Sequence, residues 1–181
     1  LSEIAEMFGK MDMNEVKRFT YLNYPYYATN SEIAKKTLTG RELIKVEEAR
    51  AHYGSITLFT IGYEGISLEE YFNRLIKNDV KMLVDVRKNA LSMKFGFSKS
   101  QLSKYCSYLS IEYIHIPQVG IESDKRQELN SQADYDMLFE VYKKELPQSK
   151  LYQYKIFDLL LEKRRVALTC FEADINKCHR K

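Results

Sequence analysis

Lys81-Met82-Leu83-Val84-Asp85-Val86 is a short run, apolar between Lys81 and the acid Asp85, and its reading decides the fold. Six such residues suit a strand better than a helix. A strand apolar at successive positions has both faces covered, as in a parallel sheet. Upstream, Thr57-Leu58-Phe59-Thr60-Ile61 is a second β-rich run, ended by Gly62. Ser67-Leu68-Glu69-Glu70 then opens a helix with Leu68, Phe72, Leu75 and Ile76 on one face. Downstream come a helix from Ser98 to Leu109, with Ser98 as its cap, and a strand from Glu112 to Ile116 stopped by Pro117. Two helices follow, about Asp134 to Leu146 and Lys150 to Lys163, and a last strand, Arg165 to Cys170. The alternation predicts an α/β domain over 57–181, three-layered, with a mostly parallel sheet and helices on both faces.

Residues 1–56 read as a small helical amino-terminal segment. Ser31 is placed to cap one helix, and Gly40-Arg41-Glu42 opens another through Leu43, Val46, Ala49 and Tyr53 until Gly54. Between them, Tyr21, Tyr24, Tyr26 and Tyr27 form an aromatic cluster, read either as a stacking surface for bases or as packing for a small segment.

With 45% hydrophobic and 29% charged residues, the 181-residue chain is neither disordered nor membrane-spanning in type. No apolar run approaches bilayer length and no leader is legible, so a cytoplasmic protein is expected. Three cysteines argue for free thiols. The start without Met suggests a longer protein that has been cut, or whose start is not shown. Acids and bases balance up to Ile56, so the net charge of +3 belongs to the α/β part. There, Val86 to Ile111 carries Arg87, Lys88, Lys94, Lys99 and Lys104 without one acid, the natural landing place for an anion.

In open parallel sheets ligands bind beyond the carboxyl ends of the strands. Those ends carry Gly62-Tyr63-Glu64-Gly65, then Asp85 and Arg87, then His115, then Cys170-Phe171-Glu172. The glycine turn suits an anion beside free N–H groups, or is simply a tight turn. Asp85 and Arg87, two apart, share a face, as substrate-orienting groups or as a structural pair. His115 has the pKa class for proton transfer. Asp174 is placed to cap a helix with Cys178 in its first turn, where the dipole favours thiolate.

The motifs Ile61-Gly62-Tyr63-Glu64-Gly65, Val84-Asp85-Val86-Arg87, Gly96-Phe97-Ser98-Lys99, Tyr113-Ile114-His115-Ile116-Pro117, Cys170-Phe171-Glu172 and Cys178-His179-Arg180 follow one another at a characteristic spacing. In this they resemble the domain-of-unknown-function family 488 over residues 57–181. The resemblance implies an enzyme, because of the cysteine-bearing motifs, and an amino-terminal segment similar to the tail of a winged-helix or antitoxin-like domain. The chain departs from the family at Ile175, where a proline is usual, and at Gly120-Ile121, where a glycine pair is usual.

Together these readings give an enzyme acting on an anionic small molecule, a nucleotide or a nucleic acid, with Asp85, His115, Cys170 and Glu172 as catalytic candidates. Tyr63, Glu64, Arg87, Lys94, Cys178, His179 and Arg180 are the substrate-binding candidates. The cysteines admit a nucleophile, a soft-metal site, a disulfide cycle or plain packing. Cys-x7-Cys-His does not match the close-spaced zinc knuckles, so no metal ligand is assigned, and the motifs specify no cofactor. The rival is a non-catalytic module that binds nucleotide or nucleic acid.

Overall fold

A computed structural model describes residues 2–29, 31–49, 55–126 and 129–180, in two compact units. The first is helical: α1 (Ser2–Phe8), α2 (Met13–Asn23), α3 (Pro25–Ala28), α4 (Ala34–Thr37) and α5 (Gly40–Glu48). Capping boxes start its two longer helices, Asp12 with Glu15 at α2 and Thr39 with Glu42 at α5. An Arg18–Glu42 ion pair links them, and Ala28, Ala34, Leu38 and Val46 make the core. Ser31 is not a cap. Ile33 takes that place on α4, while the Ser31 hydroxyl pairs with Tyr21 Oη at 2.7 Å. Tyr24, Tyr26 and Tyr27 pack on one another. Tyr53 and Gly54 lie outside the described residues.

The second unit is the expected α/β domain. Its strands are β1 (Thr57–Gly62), β2 (Met82–Asp85), β3 (Glu112–His115) and β4 (Arg165–Cys170), and its helices α6 (Leu68–Lys77), α7 (Lys99–Tyr108), α8 (Gln132–Glu145) and α9 (Lys150–Lys163). All pairings are parallel, in the order β1-β4-β2-β3. β2 is buried at all four positions, as its apolar run requires. Alternation sends Leu83, Ala167 and Ile61 to the face covered by α6 and α7, through Tyr71, Phe72, Leu75 and Leu102. Met82, Val84, Val86 and Val166 line the other, under Tyr152, Ile156, Leu159 and Leu160 of α9. Ser67 accepts from Glu70 N to start α6. Ser98 occupies the cap position of α7, but its hydroxyl bonds the backbone of Ser92 instead.

Two features fix the carboxyl ends. Register places Gly62 beside Cys170, and Asp85 beside both Thr169 and His115. Tyr71, wholly buried on α6, donates to Thr169 Oγ1 at 2.8 Å. Burial keeps this phenol far from ionisation, despite that bond. Tyr71→Phe should therefore cost about 1–3 kcal/mol, because it removes the donor to a buried hydroxyl, and adding Thr169→Val should recover most of the loss. Urea unfolding of the two variants checks this, and a double variant less stable than Tyr71→Phe would contradict it.

Candidate functional site

Asp85 and Arg87 sit two apart on the same face and form a buried, two-pronged pair. Nε donates to Oδ1 at 2.8 Å and Nη2 to Oδ2 at 2.5 Å. Asp85 is fully buried and also accepts from Arg87 N and from Tyr113 Oη at 2.6 Å. Arg87 Nη1 donates to Tyr63 Oη and to Phe97 O, each at 2.8 Å. Burial works against the guanidinium charge, but the bonds to Asp85 and its negative charge more than offset it, leaving Arg87 more basic than usual. Tyr113 is pushed up by burial and by the Asp85 charge. Asp85 is thus held by four donors and sits behind the site.

The Gly62-Tyr63-Glu64-Gly65 turn closes on the chain itself. Tyr63 and Glu64 N–H both donate to Phe171 O, at 3.0 and 2.9 Å, and the Glu64 carboxylate accepts from Ala173 N at 3.1 Å. Gly62 is required because a Cβ there would lie 1.9 Å from Glu172 O. Gly120 answers a similar crossing, its Cβ falling 2.4 Å from Lys88 N, and Ile121 beside it is buried. Tyr63 stacks on Phe97 with centroids 4.3 Å apart. Lys94 Nζ donates to the carbonyls of Tyr63 and Ile66, so this lysine staples the same loop.

Beyond β4 the chain brings Cys170, Glu172, Cys178, His179 and Arg180 together. Cys170 Sγ lies 2.9 Å from Glu172 Oε2, a separation that requires a shared proton. Cys178 is not in the first turn of a helix. It follows a single 3₁₀ turn, Ile175–Lys177, that Asp174 caps through Asn176 N. Its thiol accordingly has no dipole to lower it and is pushed up to about 11, by its hydrogen bond to Cys170 and by burial. Cys170 moves the other way, down to about 7. Its hydrogen bond with Cys178 and the charges of Arg126 and Arg180 outweigh burial. His179 Nε2 donates to Val86 O at 3.3 Å, so Nδ1 is the acceptor. That Nδ1 lies 3.9 Å from Cys170 Sγ and 4.0 Å from Cys178 Sγ. Arg180 donates from Nε to Cys178 Sγ at 2.8 Å and from Nη2 to Glu172 O at 2.5 Å, tying the segment down.

Arg126 was not among the sequence candidates. It pairs with the Glu172 carboxylate and donates to His179 Nδ1 at 2.9 Å. Nothing in Asp124-Lys125-Arg126 distinguishes it from its neighbour Lys125, which pairs with Glu145 instead. A cleft of about 530 Å³ opens over this group, with Arg87, Lys88, Arg126, Cys170, Glu172 and His179 in its walls. His115 is elsewhere. It ends the edge strand β3, across β2 from Cys170, and its Nε2–H donates to Arg87 O at 2.8 Å. Cys106 is buried in the core between α7 and the sheet, and burial, then the Asp85 charge, pushes its thiol up to about 12.

The donor atoms of Cys170, Cys178 and His179 all lie within 4.8 Å of one another, a ligand set suited to a soft metal. Two of the three already accept from the cations Arg126 and Arg180. A metal ion would have to displace both guanidinium groups, so the charge distribution favours an anion, such as a thiolate, at this point.

A four-stranded parallel α/β domain with a thiol, carboxylate and arginine cluster at its strand ends is the class defined by this geometry. Within it, the chain belongs to the family described as "Domain of unknown function DUF488", whose model matches residues 67–181. The matched region begins at α6, so β1 precedes it although β1 completes the sheet. No curated protein and no solved structure matches the chain. Among the described residues no helix is long and apolar enough to cross a membrane.

Two outcomes follow from the site. Alkylation by iodoacetamide should label Cys170 in the native protein with a rate that rises through a midpoint of about pH 7. Cys178→Ala should move that midpoint upward. A Cys170 midpoint unchanged in Cys178→Ala, read by mass spectrometry across a pH series, would contradict the shared hydrogen bond. Gly62→Ala should destabilise the domain by about 1–3 kcal/mol in urea, because the crossing backbone has nowhere to move.

Proposed function

We propose that the protein is an enzyme acting on an anionic substrate, with Cys170 as the reacting group. The observation that carries this reading is a thiol lowered to about 7 at the wall of an open cleft, with a carboxylate and an imidazole acceptor beside it. Glu172 takes the Cys170 proton, and Arg126 holds Glu172 while orienting His179. Asp85 is a positioning residue that holds Arg87, and Arg87 in turn aims Tyr63 at the cleft. Four of the five Arg87 N–H groups are committed inside the protein, so negative charge is met mainly by its field together with Lys88 and Arg126. The substrate class that suits such a cleft is a phosphorylated small molecule, a nucleotide among them. Thiols kept free beside one another suit the reducing cytoplasm.

A screen of phosphorylated metabolites and nucleotides, with product release as readout, tests the proposal. Turnover should rise with pH through about 7 and fall by at least about 100-fold in Cys170→Ala and in Glu172→Gln, with substrate binding retained. Full turnover in Cys170→Ala would overturn Cys170 as the reacting group, and binding without turnover in the unaltered protein would leave only a binding module.

A further inference from the structure

Cys178 is a second thiol, standing behind the Cys170 cleft and not in its wall. It is fully buried, reaches the Cys170 sulfur, and backs onto a separate cavity of about 400 Å³ lined by Phe139 and Tyr142. Packing alone would not call for a guanidinium donating to its sulfur. Seven residues separate the two cysteines, and Cys178 follows a one-turn helix while Cys170 ends a central strand. The Sγ atoms lie within 4.8 Å, so bonding distance is reached by moving the short segment and leaving the sheet intact.

We propose that Cys170 and Cys178 form a dithiol that reduces hydroperoxides, passing through a Cys170 sulfenic acid to a Cys170–Cys178 disulfide. The proposal rests on the same Cys170 thiolate as the reading above, and adds a partner and an oxidant. The thiolate attacks the terminal oxygen of R–O–O–H. An S–O bond forms, the O–O bond breaks, and R–O⁻ leaves with the proton that Cys170 had shared with Glu172. Cys178 sulfur then attacks the sulfenic sulfur. The disulfide forms, and the hydroxyl departs as water with the Cys178 proton. Two thiols lose two electrons and one peroxide gains them.

The surroundings suit both steps. Arg126 and Arg180 favour negative charge on Cys170 before attack. Cys178 is held protonated first by its hydrogen bond to Cys170. Oxidation of Cys170 to the neutral sulfenic acid removes that hydrogen bond and the neighbouring negative charge, so that only burial still opposes His179 and Arg180, which favour the Cys178 thiolate. The second thiol thus ionises more readily once the first has reacted.

The reduced full chain is treated with stoichiometric hydrogen peroxide near neutral pH, digested without reductant and read by mass spectrometry. A Cys170–Cys178 linked peptide should form, with Cys170 lost at least about 100-fold faster than the core thiol Cys106. In Cys178→Ala, Cys170 should instead be trapped as its dimedone adduct. Peroxide that leaves both thiols titratable, or carries Cys170 to sulfinic acid with Cys178 still reduced, overturns the inference. Iodoacetamide labelling separates the two readings. A Cys170 that alkylates with a midpoint of about pH 7 but forms no disulfide sinks the dithiol alone, whereas one inert at neutral pH sinks both.

Discussion

The buried pair of Asp85 and Arg87 is the constraint on which the remaining arrangement depends. Neither charge is tolerable alone at 0% and 5% exposure, so each fixes the other, and removing one would strand its partner. The pair then ties three other places in the chain to the end of β2. Asp85 takes the Tyr113 hydroxyl from β3, and Arg87 reaches the Tyr63 hydroxyl after β1 and the Phe97 carbonyl before α7. Because Tyr63 is held, its backbone can hold Phe171, and with it the exit of β4 that carries the thiol. A charge pair on one face of the sheet thereby sets the geometry of a sulfur cluster beside it.

The cluster shows how hydrogen bonds divide two chemically identical groups. Cys170 and Cys178 differ little in burial, yet one is lowered and the other raised. The difference lies in which sulfur donates and which accepts, and in Arg126, which approaches from a loop remote in sequence. Ionisation here belongs to a network rather than to a residue.

Much of the fold was legible in the residues because alternating elements leave a periodic trace. The β2 run, the helix opened by Ser67 and the Arg165–Cys170 strand were readable from apolar spacing alone. Convergence of strand ends was legible through the parallel-sheet rule, which brings Arg87, Cys170 and Glu172 to one cleft. Partner choice was not. Histidine spacing gives no sign that His179, and not His115, would stand beside Cys170, since that turns on strand order. The one-turn helix before Cys178 was hidden as well, because Asp174 caps a 3₁₀ turn with the signal it would give a longer helix.

The sheet order has a consequence for how the molecule is made. β4 comes last in sequence among the four described strands but lies second in space, and it is the neighbour through which β1 joins the sheet. A nascent chain carrying β1, β2 and β3 holds a gap until β4 emerges and is inserted, a late closure over a long sequence separation. Cys170 ends that inserted strand, so its sulfur takes its place in the sheet in the same event that closes the gap.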